Sequence, residues 1–524
     1  MTRSTQATNS TQGTQPTEST QSTGSVPGTS TAPPRLPYAQ GPSVLSAAEQ
    51  ESLLRTFRRA LEQARATQRL VLVSWAKPLT VADPVTVWSR GRRSTPRSFL
   101  WQSAWDNGSV VAIGTARELR GHGERRMASV RAGWTALCED LVTGGTAVPA
   151  LPAGEGPLAL GGFAFSPDSP REAGRLPDAL LWVPSLQVRG AVPESAGAGP
   201  ARAELRLNAT LMHDSDPEQL AEGLAQLADR CLRGADTSRR RPAVPAAGPH
   251  TSVELPAADA WKGLVRRATG GIRDGLFEKL VLAREVRVTS ATPFDIPATV
   301  HRLRDANPGT TVFVVDHEEY TFLGATPEYL VRVEGPSVHA LGLAGTAPRG
   351  ATPREDAALE RELVDSPKIQ HEHDVVVRML RDAFATACDD VEVQSPPAVV
   401  KLTNVQHLST KVRGRRAAGA GSGILDFVEL LHPTPALGGH PRAQALGWLS
   451  DNEGLDRSWY AGVVGWADPS GQGQFAVAIR SALLDGSSAS LYAGCGLVAD
   501  SDPEAEYAET CAKLRPMLTA LGIE

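Results

Sequence analysis

Apolar positions in this chain recur with two spacings, and the switches between them mark out its elements. Between residues 47 and 68, Leu53, Leu54, Phe57 and Leu61 fall three and four apart, which predicts a helix capped by Ser46. Short runs of β-branched and aromatic residues follow at 70–74, 85–88, 98–101, 110–113, 158–165, 180–184 and 203–212, and each reads as a strand. Two further helices are expected over 125–141 and 216–232, the second with Pro217 near its start. This first half gathers no cluster of catalytic residue types, so its expected role is scaffold.

The second half opens with a helix over 258–274 and a strand over 278–288, where alternation puts Leu280, Leu282, Val286 and Val288 on one face and Lys279 on the other. Strands are expected at 311–315 and 320–333, broken by a turn at Thr326-Pro327 with Glu328 just past it. A helical stretch over 353–391 is interrupted at Pro367, and Val376, Met379, Leu380, Ala383 and Phe384 make its apolar face. A strand over 399–411, a glycine-rich turn and a helix ending at 431 lead to a loop stiffened by Pro433, Pro435, Gly438 and Gly439. Residues 459–466 and 474–480 read as strands. In the second, Phe475, Val477 and Ile479 point one way and Ala476, Ala478 and Arg480 the other, a small-residue face with an arginine at its end.

Composition sets the boundaries. Residues 1–40 are Thr, Ser, Gln, Gly and Pro with almost nothing apolar, which predicts a disordered tail. Residues 41–233 form the scaffold half, 234–255 a flexible linker, and 256–524 the half that carries the chemistry. The arginine run from Arg239 reads as part of a solvated linker, with an anion patch as the alternative. A net charge of −5 supplies no basic footprint for nucleic acid. Five cysteines without metal-site spacing fit a reducing cytoplasm. No apolar run is long enough to span a bilayer, and Arg3 is not followed by the apolar stretch of a secretory signal.

The chemistry concentrates in residues 491–513. A strand ends near Tyr492, Gly494-Cys495-Gly496 lets the backbone approach a ligand, and Asp502-Pro503 starts a helix. On that helix Glu506, Glu509 and Lys513 share a face. Backbone N–H groups, two carboxylates and an ammonium suit a magnesium ion holding an anionic ligand. The alternatives are an ordinary surface pair, Glu509 with Lys513, and a dinucleotide fingerprint, Gly494-x-Gly496-x-x-Ala499. The fingerprint requires the helix to open within the glycines, and here its signal comes later. Lys279 is a candidate base or a lysine snorkelling at a strand edge. Glu328 is a candidate acid or an exposed turn residue. Gly345 and Thr346 offer an N–H and a hydroxyl to a carboxylate, and Arg480 offers a fork. His371-Glu372-His373 invites a zinc reading, but i and i+2 do not share a helix face, so Glu372 stands as a magnesium ligand candidate.

Taken together, Lys279 in KLVLAR, Glu328 in GATPE, Gly345-Thr346, Glu372 in HEH, Arg480 in AIR and the stretch LYAGCGLV to EYAETCAK resemble the chorismate-utilising enzymes. That family includes isochorismate, salicylate, aminodeoxychorismate and anthranilate synthases. The matches run in order over roughly residues 256–524, about half the chain, and Gly161-Gly162-Phe163 extends the likeness into the first half. The resemblance implies an α+β fold, the anthranilate-synthase-like α/β/β/α sandwich of two large β-sheets with helices outside. The loop from His432 to Gly439 is similar to that of the isochorismate-forming members, and Lys279 stands where anthranilate synthase has glutamine.

Carried over by position, Lys279 would activate water and Glu328 would protonate the departing C4 hydroxyl. Glu372, Glu509 and Glu506 would hold Mg2+ on the ring carboxylate, which Gly345 and Thr346 would also meet. Tyr460, Arg480, Gly494, Gly496 and Lys513 would hold the enolpyruvyl carboxylate, and His432 would meet the substrate. The chain departs from the pattern at Ile369, where relatives often carry Asp, Glu or Asn as an outer contact to the metal. The expected activity is a magnesium-dependent isomerase acting on chorismate in the cytoplasm, as a monomer without a glutaminase subunit. Its product would serve menaquinone or siderophore biosynthesis, and the long first half is more similar to the menaquinone type. The alternatives are a salicylate synthase or another chorismate-utilising enzyme, a non-catalytic chorismate-binding module, and a nicotinamide oxidoreductase.

Overall fold

The period-two runs pair into two large sheets in the computed structural model, which describes residues 43–81, 83–149, 151–167, 176–191, 201–233, 249–417 and 421–523. The tail expected at 1–40 lies outside the described residues, as does most of the join expected at 234–255. Within that join His250–Leu255 is an edge strand of the larger sheet. Among the described residues the larger sheet has 13 strands and the smaller has 10. Both are mostly antiparallel, while Val71–Val81 and Val142–Gly145 run parallel. Strands from the two halves of the chain lie side by side in each. Thr311–His317 pairs with Arg97–Gln102 in the larger sheet, and Val463–Ala467 with Ala159–Phe163 in the smaller.

Alternation along these strands gives each sheet an inner and an outer apolar face. Phe99, Trp101, Phe313 and Phe322 of the larger sheet meet Leu160, Trp182, Trp466 and Ala476 of the smaller in a core between them. Helices Ala47–Thr67, Pro217–Leu232, Ile296–Ala306 and Pro503–Leu521 cover the outside of the larger sheet. Arg126–Glu139, Pro367–Ala387 and Ile424–Leu431 cover the smaller. The expected α/β/β/α sandwich is the architecture found.

Local expectations fail where a cap or turn outweighs composition. Residues 85–88 were expected as a strand but lie in the helix Pro84–Gly91, because Asp83 accepts the Val85 N–H and Pro84 sits at the first turn. The helix expected to reach 391 stops at Ala387, and Cys388–Val393 pairs instead with Val405–Arg416. The strand expected over 399–411 is two, Ala398–Lys401 and Val405–Arg416, joined by a turn that brings them antiparallel.

The larger sheet also buries charge. Glu204 is fully buried and accepts from Arg189 Nε and Arg206 Nε, each at 3.0 Å, and from the Val148 N–H at 2.8 Å. Burial alone would raise its proton affinity, but the two guanidinium groups hold the carboxyl below the usual carboxylate range. Glu204→Ala would strand two buried cations. It should lower stability by about 3–5 kcal/mol, measured by urea unfolding, whereas a surface-like cost of under about 1 kcal/mol would show that water reaches the pair.

Candidate active site

A cavity lies where strands of both sheets meet the helices Pro367–Ala387 and Pro503–Leu521. Lys279 begins the strand Lys279–Ser290, which runs antiparallel to Ser488–Leu497. Its side chain is 1% exposed and donates to Glu372 Oε1 at 3.0 Å, so it is not a lysine snorkelling to solvent. Glu372 reaches that point from one turn into its helix, which Ser366 caps. Gly496 on the facing strand makes room: a Cβ there would overlap the Glu372 carboxylate.

Glu328 stands between the strands Tyr320–Thr326 and Tyr329–Glu334 and is buried rather than exposed on its turn. Its backbone is pinned, its N–H donating to Thr326 Oγ1 at 3.3 Å and its carbonyl accepting from the Val477 N–H at 3.0 Å. Burial pushes the carboxyl up to about 8, although Lys279, Arg480 and Lys513 all pull the other way. It therefore carries a proton at neutral pH.

Two anion cradles face this acid. Gly345 sits at a bulge in the strand Ser337–Pro348 with φ 78°, a conformation open to glycine, and Ile369 fills the space a side chain would need. Thr346 Oγ1 lies 3.1 Å from His407 Nδ1. His407 Nε2 lies 3.2 Å from Arg480 Nη2. A guanidinium has no acceptor, so Nε2 accepts and the ring proton is on Nδ1. Burial, with Arg480 and Lys513 nearby, keeps the imidazole neutral. Among the described residues Arg480 thus has a neutral partner and no carboxylate within ion-pair distance. Lys513 donates to the Gly494 carbonyl at 2.9 Å and pairs with Glu509 at 2.6 Å. Tyr460 stacks on Tyr492 with ring centroids 5.2 Å apart.

The backbone around the second cradle departs from the expected strands. Gly473–Val477 ends before Ile479, and both Ile479 and Arg480 line the cavity. Ala476 and Ala478, expected to leave room for a ligand, pack in the core between the sheets. Arg480 has φ 52°, which breaks the alternation and turns its side chain into the cavity. Residues 459–462 are likewise a turn before the strand Val463–Ala467, with Ser458 at φ 47° and Ala461 at φ 58° on either side of Tyr460.

His432 does not line the cavity. Its Nε2 lies 3.2 Å from the Phe165 carbonyl, and the ring meets Phe165 edge-on. Burial, reinforced by Arg126 and Arg442, pushes it down to about 3, so it is a neutral anchor for the loop that follows. The HEH stretch holds no zinc pair, because His373 spends both ring nitrogens on the Ala344 carbonyl and Thr410 Oγ1.

Glu372, Glu506 and Glu509 lie outside bonding distance of a common ion: among the described residues no three such groups are gathered as ligands. Each is tied to a lysine, to Lys279 at 3.0 Å, Lys368 at 3.2 Å and Lys513 at 2.6 Å respectively. They nevertheless feel one another, since Glu506 is raised by burial and then by the charges of Glu509 and Glu372. Mutually repelling carboxylates suit a hard divalent cation that uses one or two of them and completes its shell with water and ligand oxygens.

Sequence reasoning missed His407, which joins the two cradles, and Glu453 and Arg457. Arg457 lines the cavity, and its guanidinium stacks 4.3 Å from the Phe165 ring. A histidine and a charged pair at i, i+4 carry no local signal of burial. The dinucleotide fingerprint finds no support, since the helix opens at Pro503, after the glycines, with Asp502 accepting from Glu504 and Ala505 N–H groups.

Comparison with known proteins agrees with this geometry. The sequence model of the chorismate binding enzymes matches residues 59–522. The chain is 38% identical over 478 residues to the salicylate biosynthesis isochorismate synthase of Pseudomonas aeruginosa, covering 89% of this chain and 94% of that one. It is 33% identical to isochorismate synthase MenF of Bacillus subtilis, covering 90% and 98%. Among solved structures, MenF of Escherichia coli superimposes with a TM-score of 0.69 at 24% identity, over 90% of this chain and all of that one. Anthranilate synthase component I of Streptococcus pneumoniae superimposes with a TM-score of 0.63 at 21% identity, over 78% and 92%. Those two likenesses establish the shared sandwich. Matched over nearly its whole described length and by two relatives close to end to end, the chain belongs to the chorismate binding enzyme family, whose isochorismate synthases are generally metal-dependent.

Proposed function

We propose that this protein is an isochorismate synthase, an isomerase that converts chorismate to isochorismate with Mg2+. The observation that carries the reading is one cavity holding a protonated acid, Glu328, a buried lysine, Lys279, and a guanidinium, Arg480, that has no carboxylate partner among the described residues. Chorismate is a dicarboxylate with a hydroxyl to lose, and these groups answer its needs. Arg480, Tyr460, Lys513 and the backbone at Gly494 and Gly496 bind the enolpyruvyl carboxylate. Gly345 and Thr346 bind the ring carboxylate. Glu372 and Glu509, with Glu506 in support, would hold the magnesium, which when bound would supply positive charge to the ring carboxylate.

Lys279, once it has given up the proton it donates to Glu372, takes a proton from water as the water oxygen bonds to C2. Both ring double bonds shift, C1=C2 to C1=C6 and C5=C6 to C4=C5, and the C4–O bond breaks as Glu328 delivers its proton, so one water enters and one leaves. Solvent exchange resets both residues, and the reverse reaction exchanges their roles. No ammonia is used, so the protein works without a glutaminase, as a monomer in the cytoplasm. Residues 41–233 serve as scaffold for the catalytic half.

Chromatography of products after incubating the protein with chorismate and magnesium should show isochorismate, formed reversibly and without ammonium. Salicylate and pyruvate as main products, or an amino product formed only with ammonium, would overturn the reading. The acid assignment has its own signature. Glu328 is protonated below about 8 and ionised above it, so kcat/KM should fall as pH rises through that value. Glu328→Gln should lose about 10²–10⁴-fold in kcat and with it that alkaline limb. An unchanged limb in the variant would assign it to another group. Glu509→Gln removes a negative ligand, so turnover should fall and the magnesium concentration for half-maximal rate should rise. Normal turnover at low magnesium would refute the ligand assignment.

A further inference from the structure

The strand that presents Lys279 has a gap along one edge. Its partner on one side, Ser488–Leu497, runs without a break from Leu280 to Thr289. On the other side Gly439–His440 pairs only with Lys279 and Leu280, and His250–Leu255 begins only at Glu285. Residues 281–284 therefore turn backbone groups toward a place where no strand lies. Such groups need partners when buried.

Side chains and a loop fill the gap. The Val281 N–H donates to the Gly438 carbonyl at 3.0 Å, and Arg457 Nη2 donates to the Val281 carbonyl at 2.6 Å. The Ala283 N–H donates to Glu453 Oε1 at 2.8 Å, and Trp261 Nε1 donates to the Ala283 carbonyl at 3.0 Å. Glu453 and Arg457 are themselves joined by two bonds of 2.6 Å, with side chains 5% and 1% exposed. Arg457 Nη1 then reaches the Leu437 carbonyl at 3.0 Å, and its own carbonyl accepts from the Tyr460 N–H at 2.8 Å. One ion pair thus touches the Lys279 strand, the loop at 433–439 and the turn that presents Tyr460.

We propose that the Glu453–Arg457 pair is a positioning device for the reaction: standing in for a missing strand, it fixes Lys279 and the Leu437 loop at one register relative to the Tyr460 side of the substrate cradle. The inference rests on the isochorismate synthase reading. Neither residue takes part in proton transfer. A pair of this kind offers an acceptor to an N–H and a donor to a C=O, as a neighbouring strand does. It also carries a fork that can bind a third segment, which a strand edge cannot.

The test uses the full chain with magnesium. Arg457→Lys keeps a buried cation but cannot hold Val281, Leu437 and Glu453 together. Glu453→Gln keeps an acceptor for Ala283 but loses the charge partner. Each variant is assayed for folded fraction by circular dichroism, chorismate affinity by calorimetry without magnesium, and kcat per folded molecule. Misplaced reacting groups should cost about 10²-fold in kcat. Affinity should stay within about threefold of wild type, because Arg480, Thr346 and Lys513 are untouched. Variants that match wild-type kcat per folded molecule, or that lose affinity as much as kcat, overturn the proposal. So does failure of both to fold, which would make the pair a requirement of the fold alone. Wild-type protein that forms no isochorismate sinks the functional reading instead, and is seen before any variant is made.

Discussion

Charge cannot be left uncompensated inside a protein, and that constraint organises this molecule from its scaffold to its site. In the larger sheet the Glu204 carboxylate is shared by Arg189 and Arg206. Glu453 and Arg457 satisfy each other and then serve three stretches of backbone. In the cavity the balance is left open. Lys279 and Lys513, which line it, and Lys368, which does not, each hold a carboxylate, whereas Arg480 is bonded to a neutral histidine. The site therefore carries a cation whose partner must come from outside. It also carries carboxylates that repel one another unless another cation joins them. The proposed anionic ligand and divalent ion would close that balance together.

Backbone strain occurs at the same place. Ser458, Ala461 and Arg480 are non-glycine residues in the left-handed region; Ala461 and Arg480 line the cavity, and Ser458 follows Arg457, which also lines it. Each costs free energy that a regular strand would not, on the order of 1 kcal/mol or more. What is gained is direction. A strand continuing through Arg480 would keep it in line with Ala476 and Ala478, which face the core between the sheets. The left-handed turn lets Arg480 and Ile479 face the cavity while the two alanines stay in that core.

Much of this was legible in the sequence because it depends on local signals. Asp502-Pro503 starts its helix as written, and Lys279, Glu328, Gly345, Thr346, Glu372, Tyr460, Arg480, Gly494, Gly496 and Lys513 all line one cavity. Period-two runs marked most of the strands, whereas the two-sheet sandwich was implied by the resemblance to the chorismate-utilising enzymes. What escaped depends on contacts between distant residues. Val85-Thr86-Val87-Trp88 has strand composition and is helical because of the cap before it. His432 was placed near substrate from its loop, yet the loop turns it to Phe165, a residue 267 positions away. His407 and the Glu453–Arg457 pair acquire meaning only when four separate segments converge, and no window of sequence contains them together.

The acid follows from depth rather than from isolation. Three cations near Glu328 favour its ionised form, and burial outweighs them. In the empty cavity that margin is at its narrowest, because Arg480 and Lys513 exert their full influence. A dicarboxylate seated in the cradles places negative charge against those two cations and offsets their pull on Glu328. It also excludes water from the cavity, which adds to the cost of ionising the carboxyl. Both effects push in one direction. The dicarboxylate would therefore favour the protonated state of the group that protonates its leaving hydroxyl in the proposed reaction, while a divalent ion bound beside it would pull the other way.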